Sequence, residues 1–155
     1  MIETKSPFTD FLKQATDKLS TGSYTKEWSL EEQKTLYMSA FTFYQQKNYS
    51  LAEPLFSQLC VSNPLEPSFW RGLASSLQML GRYKEALKSW CVVALLQEQD
   101  PSPHFHAAEC FFLLEEKEEA RKALMQAEQR LENAENSESL KENIALLKTM
   151  LHKRG

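Results

Sequence analysis

The chain has 155 residues, 42% of them hydrophobic and 25% charged, with a net charge of −3. This balance suits a single globular domain over 1–155 and argues against disorder. Only 4 glycines occur, where average use of about 7% would supply roughly 11. Such poverty argues against an all-β fold and against phosphate-cradling loops, and neither GxGxxG nor GxxxxGK[ST] is found. Mild acidity offers no broad electrostatic basis for nucleic-acid binding. No apolar run approaches the roughly 20 residues that span a bilayer, so no direct membrane insertion is expected. The first residues do not read as a signal peptide. The three cysteines, Cys60, Cys91 and Cys110, are odd in number and widely spaced, which fits a reducing cytosol and a cytoplasmic protein.

In chain order, residues 1–30 read as an N-terminal helical segment, with Phe8, Phe11, Leu12, Ala15 and Leu19 at helical spacing. The polar stretch Ser20–Tyr24 separates it from the rest of the chain. Ser29 then opens a capping box with Glu32. From here a repeat takes over. Alanines stand at Ala52, Ala86 and Ala120, 34 residues apart, each followed four residues later by Phe56, Trp90 or Leu124. Upstream, Ala40, Ala74 and Ala108 keep the same interval, as do Leu36, Trp70 and His104. Small residues at helix crossings with bulky ones beside them, at this period, are the signature of the tetratricopeptide repeat, a pair of antiparallel helices.

Three such repeats fill 33–134. Their helices are predicted at 33–46 and 50–62, at 67–80 and 84–98, and at 103–114 and 117–131. Gly81 ends the first helix of the second repeat, where the first repeat carries Lys47 and the third Glu115. Pro54 sits one turn into a helix, which predicts a late start or a bend. Residues 137–153 form an amphipathic helix with Leu140, Ile144, Leu147 and Leu151 on one stripe, Ser137 as N-cap, and a capping role over the third repeat. The expected fold is therefore all-α: three tetratricopeptide repeats in an α-solenoid between an N-terminal helical segment and a C-terminal capping helix.

Catalysis has little support. His104, His106, Glu109 and Cys110 are the densest cluster, but the two histidines point to nearly opposite sides of a helix. His106 and Cys110 alone do not make a zinc site. No catalytic residue, metal or cofactor is assigned. The concave face of the array is the remaining surface, lined by the first helix of each repeat. It takes Tyr37, Phe41, Tyr44 and Gln45 from the first repeat, then Arg71, Ser75, Gln78 and Met79 from the second. The third contributes Phe105, Glu109 and Phe112, with Leu113 at the same face and, of all these positions, the one that most resembles ordinary core. So many aromatics predict a groove that grips an extended, apolar peptide. Repeat domains that recognise the C-terminal carboxylate of heat-shock chaperones need a clamp of cations and asparagines. This chain has Tyr37, Phe41, Gly72, Ser102 and His106 in those places, so that clamp is absent. Gly72 lies where a client or a neighbouring helix could approach the backbone.

The strings Leu36-Tyr37-Met38-Ser39-Ala40-Phe41-Thr42-Phe43-Tyr44, Phe69-Trp70-Arg71-Gly72-Leu73-Ala74 and Asp100-Pro101-Ser102-Pro103-His104-Phe105-His106-Ala107-Ala108-Glu109-Cys110 carry a closer likeness. Over about 20–130 the chain resembles the class II chaperones of bacterial type III secretion, of the low-calcium-response protein H type. The resemblance implies a cytosolic chaperone that binds hydrophobic translocator proteins through a short extended segment and withholds them from premature association before export. It also implies a weak homodimer through the N-terminal region, where Phe8, Phe11 and Leu12 match in character. The alternative is a general tetratricopeptide scaffold joining two folded proteins.

Overall fold

A computed structural model describes residues 28–153, and among these the chain forms seven α-helices and no strand. They are α1 (Leu30–Gln45), α2 (Tyr49–Ser62), α3 (Pro67–Met79), α4 (Tyr83–Leu96), α5 (Ser102–Leu113), α6 (Lys117–Leu131) and α7 (Glu138–Lys153). Phe8, Phe11, Leu12 and the segment around them lie outside the described residues. The described chain gathers into two compact units divided between Leu80 and Gly81. The first holds α1–α3 and the second α4–α7.

Local chemistry sets the helix ends. Ser29 Oγ accepts the Glu32 N–H at 3.1 Å at the start of α1. Glu66 caps α3, its Oε1 accepting the Ser68 hydroxyl at 2.8 Å, with Pro67 in the first turn. Asp100 Oδ1 accepts the Ser102 N–H at 2.8 Å ahead of α5. The turns that close α1 and α5 share one geometry. Asn48 N–H donates to Phe43 O at 2.8 Å and Lys47 N–H to Tyr44 O at 2.9 Å. At the other turn Glu116 donates to Phe111 and Glu115 to Phe112. This double closure needs a left-handed residue. Lys47 (φ 60°) and Glu115 (φ 62°) adopt that conformation in the places where the second repeat has Gly81 (φ 77°).

Two sequence expectations change at this level. α2 does not start late: it begins at Tyr49 and runs through Pro54. Pro54 and Ser50 are both exposed, so water can serve the Ser50 carbonyl that the missing proline N–H leaves free. Ser137 precedes α7 and its carbonyl accepts from Lys141, but its hydroxyl donates back to Ala134 O at 3.3 Å.

In the first unit α2 packs against both α1 and α3. Its core contains Ala40, Ala52, Phe56, Leu59, Phe69, Trp70 and Leu73, all buried. The Trp70 indole N–H donates to Pro64 O at 2.8 Å, which ties the α2–α3 loop to the core. In the second unit α5 packs against α4 and α6, and α7 closes over α6. Ala108, Ala120, Leu124 and Ala127 form one cluster with Ile144, Leu147 and Leu151. Arg121 and Lys148 add bonds between α6 and α7, to Leu151 O and to Glu128 respectively.

Candidate functional site: an aromatic hollow in the first unit

The site begins with two helical faces. Tyr37, Phe41 and Tyr44 stand at i, i+4 and i+7 on α1, and Ser68, Arg71, Gly72 and Ser75 share one face of α3. These two faces enclose a hollow of about 170 Å³, and the ring of Phe56 enters it from α2. Four of its eight described lining residues are aromatic. Tyr37 stacks on Phe41 with centroids 6.1 Å apart and meets Phe56 edge-on at 6.0 Å. Tyr44 meets Tyr49 edge-on at 5.3 Å. Phe41 is 44% exposed and Met38, one turn earlier, 69%. A second hollow of about 180 Å³ lies beyond Tyr37, bounded by Leu30, Lys34, Asn63, Glu66 and Phe69.

The polar groups of the first hollow are few. Arg71 is its only charged side chain among the described lining residues. The Tyr44 hydroxyl bonds to Ser75; burial and the neighbouring Tyr49 nonetheless push the Tyr44 phenol above its ordinary range, the Ser75 bond opposing them. Tyr44 is therefore a neutral hydrogen-bonding wall at physiological pH. Such a surface offers π-faces, one cation and two serine hydroxyls. It suits an apolar side chain with a polar backbone beside it.

Among the residues expected on the concave face, Tyr37, Phe41, Tyr44, Arg71 and Ser75 come together here. Gln45 is exposed at the end of α1, Gln78 is half-buried, and Met79 is 56% exposed; none of the three lines the hollow. In the second unit the expectation needs correction. Phe105 is 6% exposed and belongs to the core with Ala108 and Leu124, because α6 and α7 supply apolar partners for its ring. Phe112 packs half-buried against the same cluster. Leu113, the groove position that most resembles core, is 50% exposed. Glu109 Oε1 pairs with His106 Nδ1 at 2.7 Å, and the His106 ring stacks on Trp90 with centroids 4.5 Å apart.

Phe56, Ser68 and Gly72 join the site from outside the expected set. Phe56 reads as a core residue of the repeat, and it is one: only 2% of it is exposed. It reaches the hollow because Gly72 opposite lacks a side chain. The close approach expected at Gly72 is made, and the approaching group is this ring. Among the described residues no group of three or more His, Cys, Asp or Glu side chains could hold a metal ion. Burial pushes the Cys60 thiol far above the ordinary range, and burial, with Glu109 adding, pushes Cys110 up to about 12. Neither is an activated nucleophile. No helix among the described residues is long and apolar enough to cross a membrane.

Comparison with known proteins agrees with this architecture. The tetratricopeptide repeat family model matches residues 37–104. The type III secretion chaperone SycD of Yersinia enterocolitica, solved in complex with a peptide of the translocator YopD, is similar with a TM-score of 0.76 and 28% identity, over 81% of this chain and 96% of that one. PcrH of Pseudomonas aeruginosa, in complex with the chaperone binding region of PopD, is similar with a TM-score of 0.72 and 26% identity, over 83% and 94%. Low calcium response locus protein H of Yersinia pestis is 32% identical over 133 residues, 81% of this chain and 79% of the relative. A 34-residue period, paired helices in both units and identity sustained over most of both sequences lead to one conclusion: the chain belongs to the family of low calcium response locus protein H.

Proposed function

We propose that this chain is a chaperone of the bacterial cytosol that binds hydrophobic translocator proteins of a type III secretion system and keeps them from premature association before export. The observation that carries the reading is the aromatic hollow of the first unit, open at Phe41, in a chain whose relatives hold translocator segments: a YopD peptide on SycD and the PopD region on PcrH. An extended segment of the client lays an apolar side chain against Tyr37, Phe41 and Tyr44. Arg71 and Ser75 meet its polar backbone. Protection works by mass action, since a client held in the complex is withheld from self-association. No catalytic step or cofactor is part of this mechanism. A weak homodimer through the region of Phe8, Phe11 and Leu12 is part of the reading.

The test is co-expression with large proteins bearing apolar helices that are encoded beside this chain, followed by co-purification and mapping of the protected peptide. A retained client whose protected segment is short and apolar supports the reading. Retention that persists unchanged in Tyr44→Glu, which sets a carboxylate into the hollow, would count against this site.

A further inference from the structure

A glycine inside a helix weakens it relative to alanine, and a left-handed backbone is the usual reason for keeping one. Gly72 stands mid-helix in α3, and among the described glycines only Gly81 has a positive φ. The reason at Gly72 is steric. A Cβ there would lie 2.5 Å from Cζ of Phe56 and closer still to Cδ1 and Cε1. The backbone of Phe56 is anchored by buried Ala52, Leu59 and Cys60 on the same helix, so it is the ring that must shift. A shift toward Tyr37, which the ring already meets edge-on at 6.0 Å, carries it into the hollow.

The repeat itself supplies a comparison. His106 stands 34 residues after Gly72, and Trp90 stands 34 after Phe56. In the second unit the His106 ring fills that position and lies stacked on Trp90, 4.5 Å away at 21°. In the first unit glycine has no side chain to put there, and the Phe56 ring itself lies over that place, where it lines the hollow. We propose that Gly72 and Phe56 are the specificity-determining pair of the hollow: the missing side chain at 72 lets the aromatic ring sit back against α3 and so sets the size of the apolar side chain the hollow accepts. The inference rests on the hollow being a client-binding site. Gly72 acts through Phe56 and is thus a positioning residue, while Phe56 touches the bound side chain.

The experiment uses the full chain and fluorescein-labelled peptides of the YopD segment that SycD binds, with each apolar residue replaced in turn by Ala, Val, Leu or Phe. Gly72→Ala is expected to weaken the best peptide about tenfold or more and to move the preference toward smaller side chains, since a methylene in a tight pocket has an effect of this order. Phe56→Leu in the wild-type background deepens the hollow and moves the preference toward larger ones. The double variant Gly72→Ala/Phe56→Leu removes the collision and recovers most of the lost affinity. Circular dichroism checks the fold of each variant, and the Phe56→Leu arm reads hollow size even if Gly72→Ala does not fold. Wild-type binding with unchanged preference in Phe56→Leu, or undiminished affinity in folded Gly72→Ala, would overturn the inference alone. Failure of the wild type to bind any peptide would remove the client-site reading beneath it.

Discussion

Phe41 separates binding from folding, and truncating it to alanine tests the hollow most cleanly. Full burial of a phenylalanine contributes about 1.5–3 kcal/mol. With 44% of the residue exposed, Phe41 has only part of that at stake in the fold, and its ring neighbour is Tyr37 at 6.1 Å. The expected loss of stability is therefore about 1 kcal/mol, small enough to leave the helical signal intact. Binding should suffer more. An aromatic wall at the centre of a small apolar site is the kind of residue whose removal costs about 2 kcal/mol or more, roughly thirtyfold in Kd. Met38→Ala is the control, since Met38 is exposed on the same helix and does not line the hollow. The assay is fluorescence anisotropy with the mapped client peptide, paired with urea unfolding of each variant. If Phe41→Ala binds within about threefold of wild type, or if Met38→Ala loses as much, the reasoning fails.

The turns, the histidine and the thiols give further expected outcomes. Gly81→Ala meets no atom within 4 Å, so its cost is backbone strain alone: about 1–2 kcal/mol of left-handed strain less about 0.4–1 kcal/mol of reduced unfolded-state entropy. Lys47→Gly should shift the urea midpoint slightly the other way, because Lys47 already bears that strain at φ 60°. His104 is held below its ordinary pKa by burial and by Arg130, with Asp100 opposing, and its buried Nε2 has no hydrogen-bond partner. The unfolded chain therefore binds the proton more readily. Stability of the second unit should be full above the ordinary histidine pKa and fall as pH drops through the lower folded value. In His104→Leu, which copies Leu36 of the first repeat, urea unfolding at descending pH should lose that part of the slope. Of the three cysteines, Cys91 is exposed while Cys60 and Cys110 are buried. A thiol reagent should modify one in the native protein and the others only on unfolding; rapid native labelling of Cys110 would contradict the packing of α5.

Much of this molecule is legible in its sequence because helix pairs are local objects. The 34-residue interval between Ala52, Ala86 and Ala120 places the crossings. Ser29, Asp100 and Gly81 mark helix boundaries through contacts made within a few residues, which need no knowledge of the fold. Tyr37, Phe41 and Tyr44 share a face by helical spacing alone. What spacing cannot decide is which side chains on such a face find a partner. Phe105 has the same repeat position as Tyr37 and Arg71, yet it is buried because α6 and α7 bring apolar groups to it. Leu113 resembles a core residue and stands exposed for want of such partners. Phe56 is buried, as its place in the repeat demands, and still forms part of the hollow, because a residue 16 positions away has no side chain. Period and capping chemistry determine the helices, since these depend on neighbours along the chain. The site depends on which atoms meet across helices, and only the tertiary structure decides that.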